Sequence, residues 1–271
     1  GIVTGTFTVR VVTFPGFIAP PVTATLVGGS ITPGVNLTVQ PASAQLPLSI
    51  PANPFGTHNP DLPTAEVNGL YNIILGRATD AGGLANSVAY LRSGGSVQTL
   101  ATLLLNSPEY QSRLIASYYQ SYLGRSASPA EVGGWVNFIE SGAYSDQQVL
   151  LIMLSSAGYN ALHPDNASFI TSLYTGLFGR NPTAAELSAG EAALASPTSQ
   201  RILVISQFLH SASAYQLQAQ GLYAAFWGAP IDATGQANVV QALNFYATLP
   251  GMAAFFAGSP PFIQRAAATV G

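Results

Sequence analysis

Hydrophobic residues recur at helical spacing in a short motif that first occurs at Val67–Gly76. In the first copy, five apolar residues follow the spacing i, i+3, i+4, i+7 and i+8: Val67, Leu70, Tyr71, Ile74 and Leu75. This spacing places their side chains on one face of a helix. The glycine that follows, Gly76, suits the left-handed residue that ends many helices. The motif therefore predicts a buried helical stripe with a glycine stop.

The motif occurs four times. Its tyrosines are separated by 48, 55 and 49 residues: Tyr71, Tyr119, Tyr174 and Tyr223. The closing glycines are Gly76, Gly124, Gly179 and Gly228. Arginine follows in three copies (Arg77, Arg125, Arg180) and Ala229 in the fourth. A period of about 50 residues is typical of helical repeats. The pattern leaves open whether the repeats form an open solenoid or a compact bundle.

Each repeat is predicted to hold three helices. Ser128–Glu131 and Thr183–Glu186 match the capping box that starts a second helix, and a short apolar helix follows in each copy. Ser107 and Pro108 then suit the first residues of the next long helix. We predict a broken helix at His163-Pro164-Asp165. The predicted repeats cover about 64–110, 111–160, 165–215 and 216–265, within a helical domain of residues 64–271.

The first 63 residues have a different character. Three segments, around residues 6–11, 22–26 and 35–39, alternate apolar and polar residues, which predicts a small antiparallel β head over 1–40. Residues 41–63 are rich in proline and predict an extended strap. The fold class is therefore mainly α, preceded by a β segment and a strap.

The first strand is a candidate assembly strand. Its apolar residues are Ile2, Phe7, Val9 and Val11. Because a small sheet has two open edges, this strand could add to the sheet of a neighbouring subunit. The alternative is that the strands pair only within their own chain.

Composition restricts the function. Only 7% of the 271 residues are charged, against about 25% in typical soluble domains. The net charge is −3, and clustered positive charge for nucleic acid or an anionic membrane is absent. No apolar run reaches the roughly 18 residues of a membrane span. Such a surface is expected either to bury part of itself against other subunits or to be covered by uncharged polar side chains.

Residues for catalysis are missing from the pattern. The chain has no cysteine, and its three histidines (His58, His163 and His210) lack the spacing of a zinc site. We therefore expect no enzymatic activity and no cofactor. Asp80 and Asp232 are weak candidates for calcium, but single aspartates in turns are more typical of helix caps.

The arginines after the motif glycines have two interpretations. Arg77, Arg125 and Arg180 could recognise an anionic group such as a surface polysaccharide. Alternatively, they satisfy the last carbonyls of their helices or pair with a carboxylate of the next segment. Their fixed place in a buried motif favours the structural interpretation.

These residues resemble a bacterial family known as domain of unknown function 4214. Leu70-Tyr71, Leu75-Gly76-Arg77, Asp80, Gly83-Leu84 and Asn106–Tyr110 carry the resemblance in the first copy. The second and third copies lack the aspartate, and residues 1–64 are not covered. The resemblance implies a secreted or surface-attached bacterial protein and names no activity. A fainter similarity to phycobilisome linker domains also implies assembly.

Two functions agree with these observations. The first is a structural subunit of an extracellular bacterial filament, sheath or surface layer, whose partners are copies of itself. The second is a binding module at the cell surface that recognises a polysaccharide or protein. Neither involves nucleic acid or a membrane span.

Overall fold

The structure, a computed structural model, describes residues 46–195, 200–245 and 247–271, together with the backbone of two short strands. The chain divides into two compact units, Gly1–Thr38 and Val39–Gly271. The second unit is helical, so the prediction of a mainly α chain is confirmed.

In the first unit, strand β1 (Thr6–Thr8) pairs antiparallel with β2 (Thr23–Thr25). Phe7 lies opposite Ala24 in this register. The rest of the predicted β head, including Ile2, Val9, Val11 and the third alternating segment, lies outside the described residues. Strand exchange between subunits therefore stays a prediction.

The described part of the second unit contains fourteen α-helices and two π-helical turns. The helices of the first two predicted repeats are α1 (Leu62–Leu70), α2 (Ala81–Arg92), α3 (Val97–Leu105), α4 (Pro108–Leu123), α5 (Pro129–Glu140), α6 (Asp146–Ser155) and α7 (Ala157–Leu162). Those of the last two are α8 (Asn166–Phe178), α9 (Ala184–Ala195), α10 (Arg201–Leu209), α11 (Ala212–Leu222), α12 (Ala233–Phe245), α13 (Leu249–Ala257) and α14 (Pro260–Ala267). The π-helical turns, Tyr71–Leu75 and Tyr223–Trp227, continue α1 and α11.

The four motif glycines end these helices as predicted. Gly76, Gly124, Gly179 and Gly228 all have φ between +63° and +65°, in the left-handed region that favours glycine. The apolar stripes before them lie in one continuous core. Both predicted capping boxes form: Ser128 with Glu131, and Thr183 with Glu186.

The connections between motif copies also follow the sequence. Ser107 caps α4, which runs without a break into the second motif. His163-Pro164-Asp165 separates α7 from α8, which confirms the predicted break. Asp165 accepts a hydrogen bond from the amide of Ser168 and so starts α8.

The helical unit closes on itself. Helix α3 packs against α13, α6 packs against α10, and α1 packs against α14. Asn59 joins the two ends: its amide donates to the carbonyl of Thr269 at 2.9 Å, and its side chain donates to the Thr269 hydroxyl at 2.9 Å. The first and last motif copies are therefore neighbours, and this part of the chain is a closed bundle.

The proline-rich strap packs against the bundle. The amide of Ser49 donates to the carbonyl of Ile73 at 2.8 Å, and Phe55 is buried against Phe262, with ring centroids 5.1 Å apart. Gly69 leaves room for this ring, because a Cβ there would lie 2.5 Å from Phe55. Helix α1 begins at Leu62, two residues before the predicted domain boundary.

Candidate functional site

Each of the first three motif copies holds its arginine over the ring of its tyrosine. The guanidinium carbon lies 4.7 to 5.3 Å from the ring centroid in the pairs Arg77–Tyr71, Arg125–Tyr119 and Arg180–Tyr174. These distances are within the range of cation–π contacts. The arginine and the tyrosine are six residues apart, across the helix-ending glycine. The glycine stop thus folds the chain back and brings the arginine over the ring.

The same arginines form two-point pairs with carboxylates. Arg125 reaches Glu131 at 2.7 and 3.1 Å, and Arg180 reaches Glu186 at 2.7 and 2.8 Å. In the first copy the partner lies at the start of helix α4, since Arg77 reaches Glu109 at 2.5 and 2.8 Å. Two parallel charge-assisted hydrogen bonds fix both side chains.

The paired carboxylates are kept ionised. Hydrogen bonds from Arg77 lower the pKa of Glu109, and those from Arg125 and Ser128 lower the pKa of Glu131. Burial alone would raise the pKa of Glu186, but hydrogen bonds from Arg180 and from Thr183 lower it overall. Each pair is therefore an ion pair at neutral pH.

This geometry agrees with the structural interpretation of the motif arginines. Each guanidinium is engaged by a carboxylate, a tyrosine ring and the carbonyl of the next residue, for example Ser126 for Arg125 at 3.1 Å. The last carbonyls of the helices are not their acceptors. Each cluster connects a helix end to a following segment, and the guanidinium hydrogen bonds are made to residues of the same chain.

Other arginines, which the sequence analysis did not single out, hold the helix ends. Arg113 donates to the carbonyl of Ile74 at 2.5 Å, and Arg265 donates to that of Phe226 at 2.8 Å. Arg201 donates to the carbonyl of His163 at 2.7 Å, at the helix break. The sequence does contain a signal for two of them: Arg113 and Arg265 each lie 37 residues after the glycine that ends their motif.

A surface groove of about 580 Å³ lies beside Arg265. One wall is the strap at Ile50–Ala52, and the other is the end of the fourth motif, with Ala224, Gly228 and Ala229. The lining is apolar apart from Gln220 and the Arg265 guanidinium. The groove can receive an uncharged chain that offers a hydrogen-bond acceptor to Arg265.

The aspartates considered for calcium serve as helix caps. Asp80 accepts a hydrogen bond from the amide of Gly83 at 2.8 Å and caps α2. Asp232 accepts from the amide of Gly235 at 2.6 Å, directly before α12. In the described part of the chain, no three His, Cys, Asp or Glu residues are grouped so that they could hold a metal ion.

One exposed aromatic cluster lies on the second motif copy. Phe138 is 47% exposed, and its ring contacts those of Trp135 and Tyr144 at centroid distances of 6.1 and 5.4 Å. The indole N–H of Trp135 donates to the hydroxyl of Tyr119 at 3.2 Å, which ties the cluster to the motif. Aromatic side chains of this kind can present a flat apolar face to a ligand.

Two of the histidines, His163 and His210, pack against different tyrosines. His163 packs against Tyr159 and has a lowered pKa, caused by burial and by the charge of Arg201. His210 packs against Tyr215, on another helix pair. They do not converge with a carboxylate on one site within the described residues.

Comparison with protein-family models, curated proteins and solved structures gives no match. The resemblance to domain of unknown function 4214 therefore stays a prediction from the motif residues. Among the described residues, no helix is both long and apolar enough to cross a membrane.

Proposed function

We propose that this chain is a non-enzymatic structural subunit of an extracellular bacterial assembly, such as a filament, sheath or surface layer. In this proposal the helical unit is four tandem three-helix repeats closed into one bundle, and its partners are copies of itself. The observation that carries the proposal is a set of large apolar side chains exposed on a surface poor in charge.

Three of these side chains project from the helices of the first and fourth motif copies. Phe245 is 77% exposed at the end of α12, Leu103 is 60% exposed on α3, and Phe255 is 53% exposed on α13. Since α3 and α13 pack against each other, Leu103 and Phe255 both belong to this helix pair. Burying such side chains against another subunit removes apolar area from water and favours association.

Few charges oppose such association. Every described arginine is paired with a carboxylate or a backbone carbonyl of its own chain: Arg77, Arg92, Arg113, Arg125, Arg180, Arg201 and Arg265. The chain also has no lysine. Mutual repulsion between copies is therefore weak, and an apolar contact need not strip water from a free cation.

Location outside a bacterial cell is supported by the motif resemblance in the first copy, Leu70-Tyr71 with Leu75-Gly76-Arg77. The non-enzymatic role is supported by the use of Glu109, Glu131 and Glu186 in ion pairs and of Asp80 and Asp232 as helix caps. A head-to-tail contact that does not close on itself would generate a filament from such subunits.

The test is the association state of the purified full chain. We expect its sedimentation coefficient to rise with concentration and electron microscopy to show regular assemblies. The double variant Leu103→Gln, Phe255→Gln is expected to weaken association, because it removes exposed apolar area. Thr102→Gln, at an exposed position of the same helix α3, is the matched control. A wild-type chain that stays monomeric up to high concentration would overturn the proposal.

The alternative is a binding module anchored at the cell surface. The aromatic cluster around Phe138 favours it, because a half-exposed ring fixed by its neighbours is suited to stacking against a sugar. In this case Phe138→Ala should abolish binding of cell-surface polysaccharide without lowering the melting temperature. Arg77→Ala and Arg125→Ala would do the same only if the motif arginines were the recognition groups.

A further inference from the structure

The first and fourth motif copies end in the same arrangement of a glycine and a distant arginine. In both, a π-helical turn precedes the glycine, and an arginine 37 residues later donates to a carbonyl at the helix end. Each guanidinium lies directly over its glycine. A Cβ on Gly76 would be 2.5 Å from Arg113, and a Cβ on Gly228 would be 2.7 Å from Arg265.

In the first copy, the space beside the guanidinium is filled by the strap. Arg113 donates through Nη2 to the carbonyl of Pro47 at 3.3 Å. Two residues later, the amide of Ser49 donates to the carbonyl of Ile73 in the π-helical turn. The segment Pro47–Ser49 is thus an uncharged, proline-containing peptide held by one arginine and one carbonyl near the helix end.

In the fourth copy, the corresponding space is the groove beside Arg265. The Nη1 atom of Arg265 donates to the carbonyls of Ala225 and Phe226, at 3.2 and 2.8 Å. Within the described residues, its Nη2 atom donates to no protein oxygen, whereas that of Arg113 reaches Pro47. The arrangement of glycine and arginine is thus the same in both copies, but only the first copy has a strap segment beside its guanidinium.

We infer that the groove beside Arg265 binds a segment from residues 1–45 of a second copy of this chain, with a backbone carbonyl accepting from Arg265. This inference rests on the proposed self-association. The segment has the required chemistry, because it contains five prolines, a single charged residue (Arg10) and no carboxylate. It is also continuous with the strap, whose residues Pro47–Ser49 occupy the corresponding space in the first copy.

A second copy is favoured over the same chain by the direction in which the strap runs. Pro47 contacts Arg113 and Ile50–Ala52 line the groove, so the strap runs from the first motif toward the groove, and a segment before Pro47 would have to reverse its direction to enter the groove of its own chain. When such a segment enters the Arg265 groove of the next subunit, the contact is head-to-tail and leaves one free groove and one free segment at the two ends. Contacts of this kind propagate.

Photo-crosslinking from the groove tests the inference directly. p-Benzoylphenylalanine replaces Ala229, an exposed residue that lines the groove, in the full chain. Equal amounts of ¹⁴N- and ¹⁵N-labelled protein are mixed, irradiated and digested. We expect crosslinks between position 229 and residues 1–45 that carry both isotopes. The same amino acid in place of Ala143, an exposed loop residue on the second motif copy, is the control and should give none to that segment.

A groove-filling substitution gives an independent readout. Ala229→Trp should raise the concentration needed for half-association at least tenfold, whereas Ala143→Trp should leave it unchanged. Melting temperatures of both variants check that they fold. If every crosslink to residues 1–45 carried a single isotope and none carried both, the segment would fold back on its own chain, and the inference would be overturned. If Ala229→Trp left association unchanged and no crosslink to residues 1–45 formed, the inference about the groove would be overturned, but the proposed function would stand. A wild-type chain that stayed monomeric would overturn both.

Discussion

The carboxylate of Glu186 is almost completely buried and receives two hydrogen bonds from the guanidinium of Arg180, at 2.7 and 2.8 Å. The side chain of Arg180 is itself only 18% exposed. In the corresponding pair of the second copy, the side chains of Arg125 and Glu131 are 51% and 33% exposed. The same arginine–glutamate pair thus exists in a buried form and in a more exposed form. Comparing the two shows how much the contribution of the pair to stability depends on its exposure to solvent.

Arg180→Ala is expected to lower the free energy of unfolding by about 3 kcal/mol, because it leaves a buried carboxylate without its charge partner. Arg125→Ala should change it little, since water replaces the guanidinium at an exposed site. Urea unfolding of both variants measures the difference. Adding Glu186→Gln to Arg180→Ala should recover part of the loss, because no buried charge then remains. Equal losses for the two arginines would contradict the expectation.

The helix-ending glycines offer a second matched comparison. Gly124 has φ +63° and open space around a Cβ, so Gly124→Ala should cost about 1 to 2 kcal/mol of left-handed backbone strain. Gly76 has φ +64°, but a Cβ there would also lie 2.5 Å from Arg113 and 2.7 Å from the Ser49 hydroxyl. Gly76→Ala should therefore lower the melting temperature further than Gly124→Ala. If both alanines cost the same, the packing of Arg113 and the strap on this helix end contributes nothing.

The local features of this fold were predictable from sequence because their signals lie within a few residues. The stripe around Tyr71 and its glycine stop follow from a 3.6-residue period and from the conformational freedom of Gly76. The capping box at Ser128 needs only three residues to specify it. The break at His163-Pro164 is set by the proline.

The features that close the bundle could not be read in this way, because their partners are distant in sequence. Asn59 and Thr269 are 210 residues apart, and Arg113 and Pro47 are 66 apart. Neither pair has a distinctive local pattern, because an asparagine in a strap or an arginine on a helix fits many exposed positions equally well. The third copy forms a buried ion pair and the fourth a groove, and neither feature has a signal in the local sequence.

Asn59 is the residue on which closure can be tested. Its buried side chain donates to the carbonyl of Phe55 and the hydroxyl of Thr269, both at 2.9 Å, and accepts from Asn68 at 2.8 Å. Asn59→Ala removes all three hydrogen bonds and is expected to cost about 3 kcal/mol, at roughly 1 kcal/mol for each bond. The amide of Gly271, which donates to the Asn59 carbonyl, should then exchange its hydrogen faster.

The control for closure is Asn53→Ala, because Asn53 is exposed and makes one side-chain hydrogen bond, to the carbonyl of Gly56. It should leave stability and exchange at Gly271 nearly unchanged. A small effect of Asn59→Ala, similar to that of Asn53→Ala, would mean that packing of α1 on α14 closes the bundle without this residue.

Glu66 should make the stability of the bundle depend on pH. It stands directly before the first stripe residue, where the second and third copies have Leu114 and Phe169, and it is only 6% exposed. Burial raises its pKa from 4.5 to about 7. A group whose pKa is higher in the folded state is more readily ionised in the unfolded chain, so its ionisation favours unfolding. The free energy of unfolding should therefore fall as pH rises from about 4.5 to about 7 and stay level above that.

Glu66→Gln isolates this contribution, because the amide keeps the shape of the side chain and does not ionise. A pKa difference of this size corresponds to about 3 kcal/mol. The variant should match the wild type near pH 4 and exceed it by about that amount near pH 8. Asp146, whose pKa is also raised by burial, remains in both proteins, so its own contribution cancels in the difference. Urea unfolding at a series of pH values measures both curves. If the free energies of unfolding of the two proteins differed by the same amount at every pH, the Glu66 carboxyl would be solvated in the folded chain, and the expectation would be wrong.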